Sequence, residues 1–380
     1  MEKAKILSSE LMRLAKLFLK LGTIGFGGPA AHIAMMQDEV VKKRKWIDEQ
    51  HFLDLIGATN LIPGPNSTEM AIHIGHERAG WKGLIVAGLC FVLPAVFITG
   101  IFAALYKDYG QLPQVQPFIY GIKPAIIAII LAAIYPLAKK SLKSVEFAII
   151  GLAVLLLSLI NFNEIYLMFG AGFLAMLLYS IRNKKLNTAG SIFPFTLLQI
   201  ANTSIFSATN LNLFLIFLKI GAILYGSGYV LFAFLDTELV STGLLSRQQL
   251  IDAIAVGQFT PGPVFSSVTF IGYQINGLTG AIVSTIGIFL PSFVFVALLN
   301  PLVKKMRNSK LFSAFLDAVN VASVAIIVSV CFSMGRDTIT DWRTISITVL
   351  SIILTFGYKK INSAFIVLGS SLIGFLLTLI

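Results

Sequence analysis

Apolar residues run through this chain in long unbroken blocks separated by short polar clusters, not in the stripe of an amphipathic soluble helix. Blocks of membrane-spanning length fall at 14–36, 84–105, 117–138, 210–233, 278–302, 314–334 and 361–380, against the roughly 17–25 residues that a spanning helix needs. Shorter or glycine-interrupted blocks at 147–160, 165–181 and 344–357 bring the expected spans to ten. Two further segments, 51–77 and 249–275, are apolar but broken at the centre by Pro-Gly-Pro.

Composition agrees with the pattern. The chain is 56% hydrophobic and 12% charged, too little polar surface to cover a water-soluble body of 380 residues. An all-α integral membrane protein is therefore expected, with the lipid bilayer as its solvent. The net charge of +11 fits loops rich in Lys and Arg on the cytoplasmic side, and no nucleic-acid partner is expected. Cys90 and Cys331 each lie inside an apolar block and form neither a disulfide framework nor a metal spacing. The N-terminus has no clean apolar core or cleavage site, so no signal peptide is expected.

The chain reads as two copies of one unit. Phe18-Leu19-Lys20 matches Phe217-Leu218-Lys219, and Gly22, Gly27 and Glu39 recur as Gly221, Gly226 and Glu238, all 199 residues on. Asp54 and Pro63-Gly64-Pro65 recur as Asp252 and Pro261-Gly262-Pro263 at an offset of 198. Gly75, Gly80, Gly83 and Pro94 recur as Gly272, Gly277, Gly280 and Pro291 at 197. Matches of Lys, Asp, Glu, Gly and Pro are informative in so apolar a chain. The expected division is a first repeat at 1–182, a linker at 183–209 and a second repeat at 210–380.

Charge sets the expected topology. If the Pro-Gly-Pro segments span fully, 14 basic loop residues fall inside and 12 outside. If each folds back as a re-entrant hairpin, the split becomes 18 inside against 8 outside, although Lys3, Lys5, Arg13 and Lys16 then lie outside. The second arrangement obeys the positive-inside rule better. It leaves five spans per repeat, an odd number, so the second repeat is inverted relative to the first.

The Pro-Gly-Pro breaks carry the sharpest chemistry. Half-helices of eleven residues on either side of each break reach about 16 Å, which places the breaks near the bilayer midplane. Irregular backbone at that depth survives where protein buries it or where it lines a wet cavity. Pro65 and Pro263 suit the first position of a new helix. The N–H groups behind them, at Asn66 and Ser67 and at Val264 and Phe265, would then point at the midplane with the positive end of the helix dipole, which makes an anion site. Paired breaks in duplicated halves point to a transporter's binding site. Lys20 and Lys219 lie within the first span of each half, beside the glycine-rich turns Gly25-Phe26-Gly27-Gly28-Pro29 and Tyr225-Gly226-Ser227-Gly228. An ionisable residue inside a span is a functional candidate. Lys123 and Asn320 occupy equivalent places and are candidates for lining a cavity.

Together these features resemble the chromate ion transporter family in its long form, with two family domains in one chain. The residues that carry the resemblance are Lys20 to Pro29 (KLGTIGFGGP), Pro63-Gly64-Pro65-Asn66 and the repetition of both features. It covers about residues 12–182 and 210–380. The resemblance implies a plasma-membrane transporter that exports chromate and so confers chromate resistance. The second copy departs from the pattern, with Tyr225-Gly226-Ser227-Gly228 in place of GFGGP. Sulfate shares chromate's charge and shape and is the alternative substrate. An intramembrane aspartyl protease built on Asp54 and Asp252 is the distant alternative, but neither residue sits in a glycine-aspartate motif. No enzyme activity, cofactor or metal is expected: His73-Ile74-Gly75-His76-Glu77 fits no zinc-helix spacing. A homodimer is one assembly open to such a chain.

Two more carboxylate positions enter as expectations. Glu39 and Glu238 fall at span ends, where solvated carboxylates are expected. Glu69 lies four residues past Pro65, opposite Ser267 in the second repeat. It is a candidate protonation switch that would make anion binding weaken as pH rises.

The topology is directly testable. Single cysteines placed beside Arg44 and beside Lys82 will be labelled only from the cytoplasmic face, and one beside Arg247 only from outside. Labelling of the first two from opposite faces would exclude the hairpin.

Overall fold

The computed structural model describes residues 2–26, 28–182, 209–226, 228–307, 309–358 and 361–379. Gly27, Ser227 and nearly all of the expected linker, at 183–208, lie outside the described residues. The protein is all-α, with fourteen α-helices and no strand among the described residues. In chain order these are α1 (Glu2–Ile24), α2 (Gly28–Gln37), α3 (Glu49–Thr59), α4 (Asn66–Tyr109), α5 (Gln116–Ser141), α6 (Val145–Leu159) and α7 (Glu164–Arg182). The second half supplies α8 (Asn210–Ile223), α9 (Val230–Leu235), α10 (Arg247–Phe259), α11 (Ser267–Arg307), α12 (Lys310–Thr338), α13 (Trp342–Gly357) and α14 (Ser363–Thr378).

Five of these segments are long and apolar enough to cross a membrane: α4, α5, α7, Val264–Leu298 and α12. Four apolar helices are shorter: α6, α8, α13 and α14. Large apolar side chains such as Phe97, Leu152, Phe332 and Leu372 are more than half exposed, as expected where lipid is the neighbour.

The two blocks expected as continuous first spans are instead broken helices. The block at 14–36 stops at Ile24 and restarts at Gly28, and the block at 210–233 stops at Ile223 and restarts at Val230. The glycine turns are these breaks; Gly28 and Gly226 adopt φ of +77° and +100°. A single-turn π-helix follows each restart, at Asp38–Lys43 and at Asp236–Val240. The Pro-Gly-Pro segments break at 60–65 and 260–263, with Pro65 and Pro263 as N-caps in extended conformation, one position before the place expected for them. The long helices α4 and α11 each contain a sharp turn, at Ala79–Gly80 and at Asn276–Gly277, where the glycine φ is +59° and +61°. Backbones meet closely across each turn. A Cβ on Gly75 would lie 2.3 Å from the Gly83 carbonyl oxygen, and one on Gly272 would lie 2.4 Å from that of Gly280.

The four breaks meet one another across the halves. The Gly64 N–H donates to the Leu224 carbonyl at 2.8 Å, and the Gly262 N–H donates to the Gly25 carbonyl at 2.7 Å. The two bonds are counterparts: 64 and 262 differ by 198, and 25 and 224 by 199. Each Pro-Gly-Pro is thus tied to the glycine turn of the other half. Around this centre α4 packs on α11, α1 on α4 and α8 on α11. The outer helices are exchanged: α6 and α7 pack on α12, while α13 and α14 pack on α5.

Gly64 and Gly262 hold φ of +136° and +91°, where a side chain is strained, and each donates one of the crossing bonds. Gly64→Ala and Gly262→Ala will each destabilise the fold by about 1–3 kcal/mol, read as a lower midpoint of thermal unfolding in detergent. Gly100→Ala, at a helical position where a Cβ meets nothing within 4 Å, will leave the midpoint unchanged or slightly raised.

Candidate functional site

A cavity of about 970 Å³ opens beside the central breaks. Its inner wall carries Gly28 and Pro29 from one glycine turn, Gly226 and Gly228 from the other, and Asn60 and Asn66 from either side of the first Pro-Gly-Pro. Helix α12 contributes Asn320 and Ser323, and Tyr229 lies beside them. Toward the α5–α6 loop the lining becomes charged, with Lys140, Lys143 and Asp317; Lys143 Nζ donates to Asp317 Oδ1 at 2.7 Å.

The start of α4 keeps free donors beside this wall, where Asn66 lines the cavity and Ser67 is buried behind it. The N–H groups of Thr68 and Glu69 bond to the Pro65 carbonyl, whereas those of Asn66 and Ser67 have no partner among the described residues. Asn66 Nδ2 donates to Asn60 Oδ1 at 2.9 Å, which aligns the two amides along the cavity. Asn320 likewise has no hydrogen-bond partner among the described residues and lines the same space. Ser323 Oγ donates to the Tyr225 carbonyl at 3.2 Å and steadies the glycine turn.

The corresponding point of the second half is closed. Val264 and Phe265 also leave their N–H groups unbonded among the described residues, but both side chains are buried. Phe265 packs against Phe289 with ring centroids 6.3 Å apart, and Ser266 Oγ accepts from Thr99 Oγ1 at 3.3 Å. Where the first half presents an asparagine, the second presents valine and phenylalanine. The two helix starts are chemically unequal.

Both intramembrane lysines have carboxylate partners. Lys20 Nζ donates to Glu39 Oε1 at 2.9 Å, and Lys219 Nζ donates to Glu238 Oε2 at 2.6 Å. Each pair joins the helix before the glycine turn to the π-helical turn after it. Glu39, expected as a solvated carboxylate, is buried, and it also accepts from Lys43 and Arg44, both at 3.3 Å. Lys20 remains about half exposed, while the Lys219 side chain is only 5% exposed. Neither lysine lines the cavity.

The two candidates for cavity lining separate. Asn320 lines the space, but Lys123 does not: it points away into an ion pair with Asp252 Oδ1 at 3.3 Å. Asp252 also accepts from the Tyr106 hydroxyl at 2.5 Å. Glu69 is fully buried behind Gly64; its Oε1 accepts from Ser292 Oγ at 3.4 Å and its Oε2 has no partner. Gly25, Pro63, Gly64 and Pro65 build the breaks without lining the cavity, as do Pro261, Gly262 and Pro263. No group of His, Cys, Asp and Glu among the described residues could hold a metal ion.

Asn60, Tyr229, Ser323, Lys140 and Lys143 line the cavity without having been singled out in the sequence. A signal existed for Asn60. Gln258 stands at its counterpart in the second half, so both apolar hairpins carry an amide at this point.

The sequence profile of the family described as Chromate transporter matches the chain twice, at residues 12–176 and 211–375. The chain is 31% identical to a protein named Chromate transport protein from Cupriavidus metallidurans, covering 96% of this chain and 92% of that one. It is 30% identical to a Probable chromate transport protein of Synechococcus elongatus, covering 96% and 95% of the two chains. It is 27% identical to a Chromate transport protein of Pseudomonas aeruginosa, covering 94% and 90%. No solved structure matches the chain.

The two lysine pairs differ in burial, and their loss will differ accordingly. Lys219→Met leaves Glu238 without its partner in an apolar setting and will destabilise the fold by about 3–5 kcal/mol. Lys20→Met will cost about 1 kcal/mol or less, since Lys20 is half exposed and Glu39 keeps Lys43 and Arg44. Thermal unfolding of the two variants side by side checks the order.

Proposed function

Since this chain belongs to the chromate transporter family, we propose that it is a secondary transporter that moves chromate outward across the plasma membrane and thereby confers resistance to it. The observation that carries this reading is the start of α4. An unbonded N–H group at Asn66, at the positive end of a helix, stands at the wall of a cavity large enough for a tetrahedral oxyanion, with a second unbonded N–H at Ser67 just behind it. The amides of Asn60, Asn66 and Asn320 and the backbone at Gly28 and Gly226 supply further donors around the anion. Neutral donors suit a site that must release its ligand, because they hold a dianion without a fixed opposite charge. Lys140 at the charged end, where Lys143 is balanced by Asp317, raises the local concentration of anions.

Lys20 and Lys219 take a second role in this reading. Paired with Glu39 and Glu238, they hold the glycine turns in shape and add positive potential at a distance. The second Pro-Gly-Pro, closed by Val264 and Phe265, serves as the counterpart that frames the site. The halves work as inverted repeats, each with five spans and one re-entrant hairpin. Glu69, directly behind Gly64, is placed to sense a proton when the anion binds.

Expelling a dianion from a negative interior needs no coupling ion. Two charges gain about 4.6 kcal/mol per 100 mV, more than a thousandfold in gradient. In oriented proteoliposomes, an imposed potential without a pH gradient will drive chromate flux. Loss of one charge-assisted hydrogen bond in Asn66→Ala will lower that flux about tenfold or more. Flux of labelled sulfate but not chromate would replace the substrate; normal flux in Asn66→Ala would remove the side-chain amide, and normal flux in Asn66→Pro, which also deletes the N–H at a position that tolerates proline, would remove the site.

A further inference from the structure

The duplicated halves are not in the same state. In the second half, α10 packs on α5 and α14. Lys123 on α5 and Asp252 on α10 form an ion pair whose side chains are 14% and 5% exposed. Tyr106, on α4, donates its hydroxyl to the same carboxylate. The layer around them is tightly closed. Phe102 meets Phe259 edge-on at 5.2 Å, Tyr106 meets Phe270 at 5.1 Å, and Gln274 Nε2 donates to the Ala103 carbonyl at 2.9 Å.

The counterpart of this contact lies on the other side of the centre. Lys123 corresponds to Asn320 on α12, and Asp252 corresponds to Asp54 on α3. There the two elements stand apart. The cavity runs between them, with Ile56 of α3 and Asn60 and Leu61 just past its end on one wall and Leu316, Asn320 and Val324 of α12 on the other. One hairpin is closed against the opposite half while its twin is open.

We infer that Lys123, Asp252 and Tyr106 form the latch that holds the far side of the pathway shut while the cavity is open. In the opposite state the latch parts, and α3 swings against α12, bringing Asp54 toward Asn320. This rests on the transport reading above. It also assigns roles to three residues that touch no anion: they act by setting which side is open. The two closures differ in kind. The latch seen here joins opposite charges, whereas its twin offers a carboxylate and a neutral amide. With no ligand, the cavity-open state is therefore favoured, and a site that waits open on one side is loaded from that side first.

The test reads the openness of the cavity and does not depend on transport. A single reporter is placed at the cavity wall by Ala133→Cys, in a chain with Cys90→Ala and Cys331→Ala. The full chain is reconstituted in nanodiscs, where both faces are accessible, and the rate of alkylation by a charged maleimide is followed. Lys123→Gln and Asp252→Asn will each slow alkylation about threefold or more, as population moves to the cavity-closed state. Tyr106→Phe keeps the ring packing, removes one hydrogen bond and will slow it by less; it also keeps the test sharp if a charge variant fails to insert. Rates equal to or faster than the parent's in the variants that fold would overturn the latch. Chromate added to the parent tests the site separately. Slowed alkylation in the latch variants without protection by chromate supports the latch and removes the anion from this cavity.

Discussion

Two backbone hydrogen bonds hold the centre of this protein together: Gly64 to Leu224 and Gly262 to Gly25. Each fills a need that a broken helix creates. A helix that stops inside a membrane leaves carbonyl and N–H groups with no water to satisfy them. Here the loose carbonyl at the end of one broken helix takes the loose N–H of another, and the partner always comes from the opposite half. The breaks can exist only in pairs. Once they do, α1 must lie along α4, α8 along α11, and the two long helices must cross. The glycines follow from the same constraint: a Cβ at Gly22 would stand 2.4 Å from the Phe91 carbonyl oxygen, and one at Gly221 equally close to that of Ile288.

The two halves depart from this symmetry at their centre. Asn66 against Val264 gives one open donor site and one apolar plug. Asn320 against Lys123 gives one cavity wall and one ion pair. Substitutions at a few central positions make the two halves unequal without disturbing the shared framework of breaks and crossings.

Much of that framework was legible in the sequence. The duplication, the membrane class and the place of the Pro-Gly-Pro breaks follow from matched Gly, Pro, Lys and Asp in an otherwise apolar chain, because ionisable residues are costly in lipid and Gly and Pro set backbone geometry, so chance matches of these types are few. The breaks in the first blocks were not foreseen, since Ile24 to Gly28 and Ile223 to Val230 remain apolar and hydropathy does not register backbone direction. The lysine–glutamate pairs were present as a recurring separation of 19 residues, Lys20 to Glu39 and Lys219 to Glu238. Their contact depends on a π-helical turn that leaves no compositional mark. Nor does repeat alignment reveal exchange of outer helices or the contact between Lys123 and Asp252, because it relates equivalent residues and says nothing of what each one touches.

The exchanged outer helices make the order of synthesis and the order of completion run in opposite directions. When residues up to Arg182 have left the ribosome, α5 still lacks α13 and α14, and α6 and α7 still lack α12. The first half must wait in lipid with its inner faces uncovered. The site at Asn66 gains its α12 wall only as the second half arrives. Helix α14 seats against the waiting face of α5, where Gly121 and Gly374 bring the two backbones close. Its arrival closes the interlock, so the first half gains its finished shape only once the second half has been made.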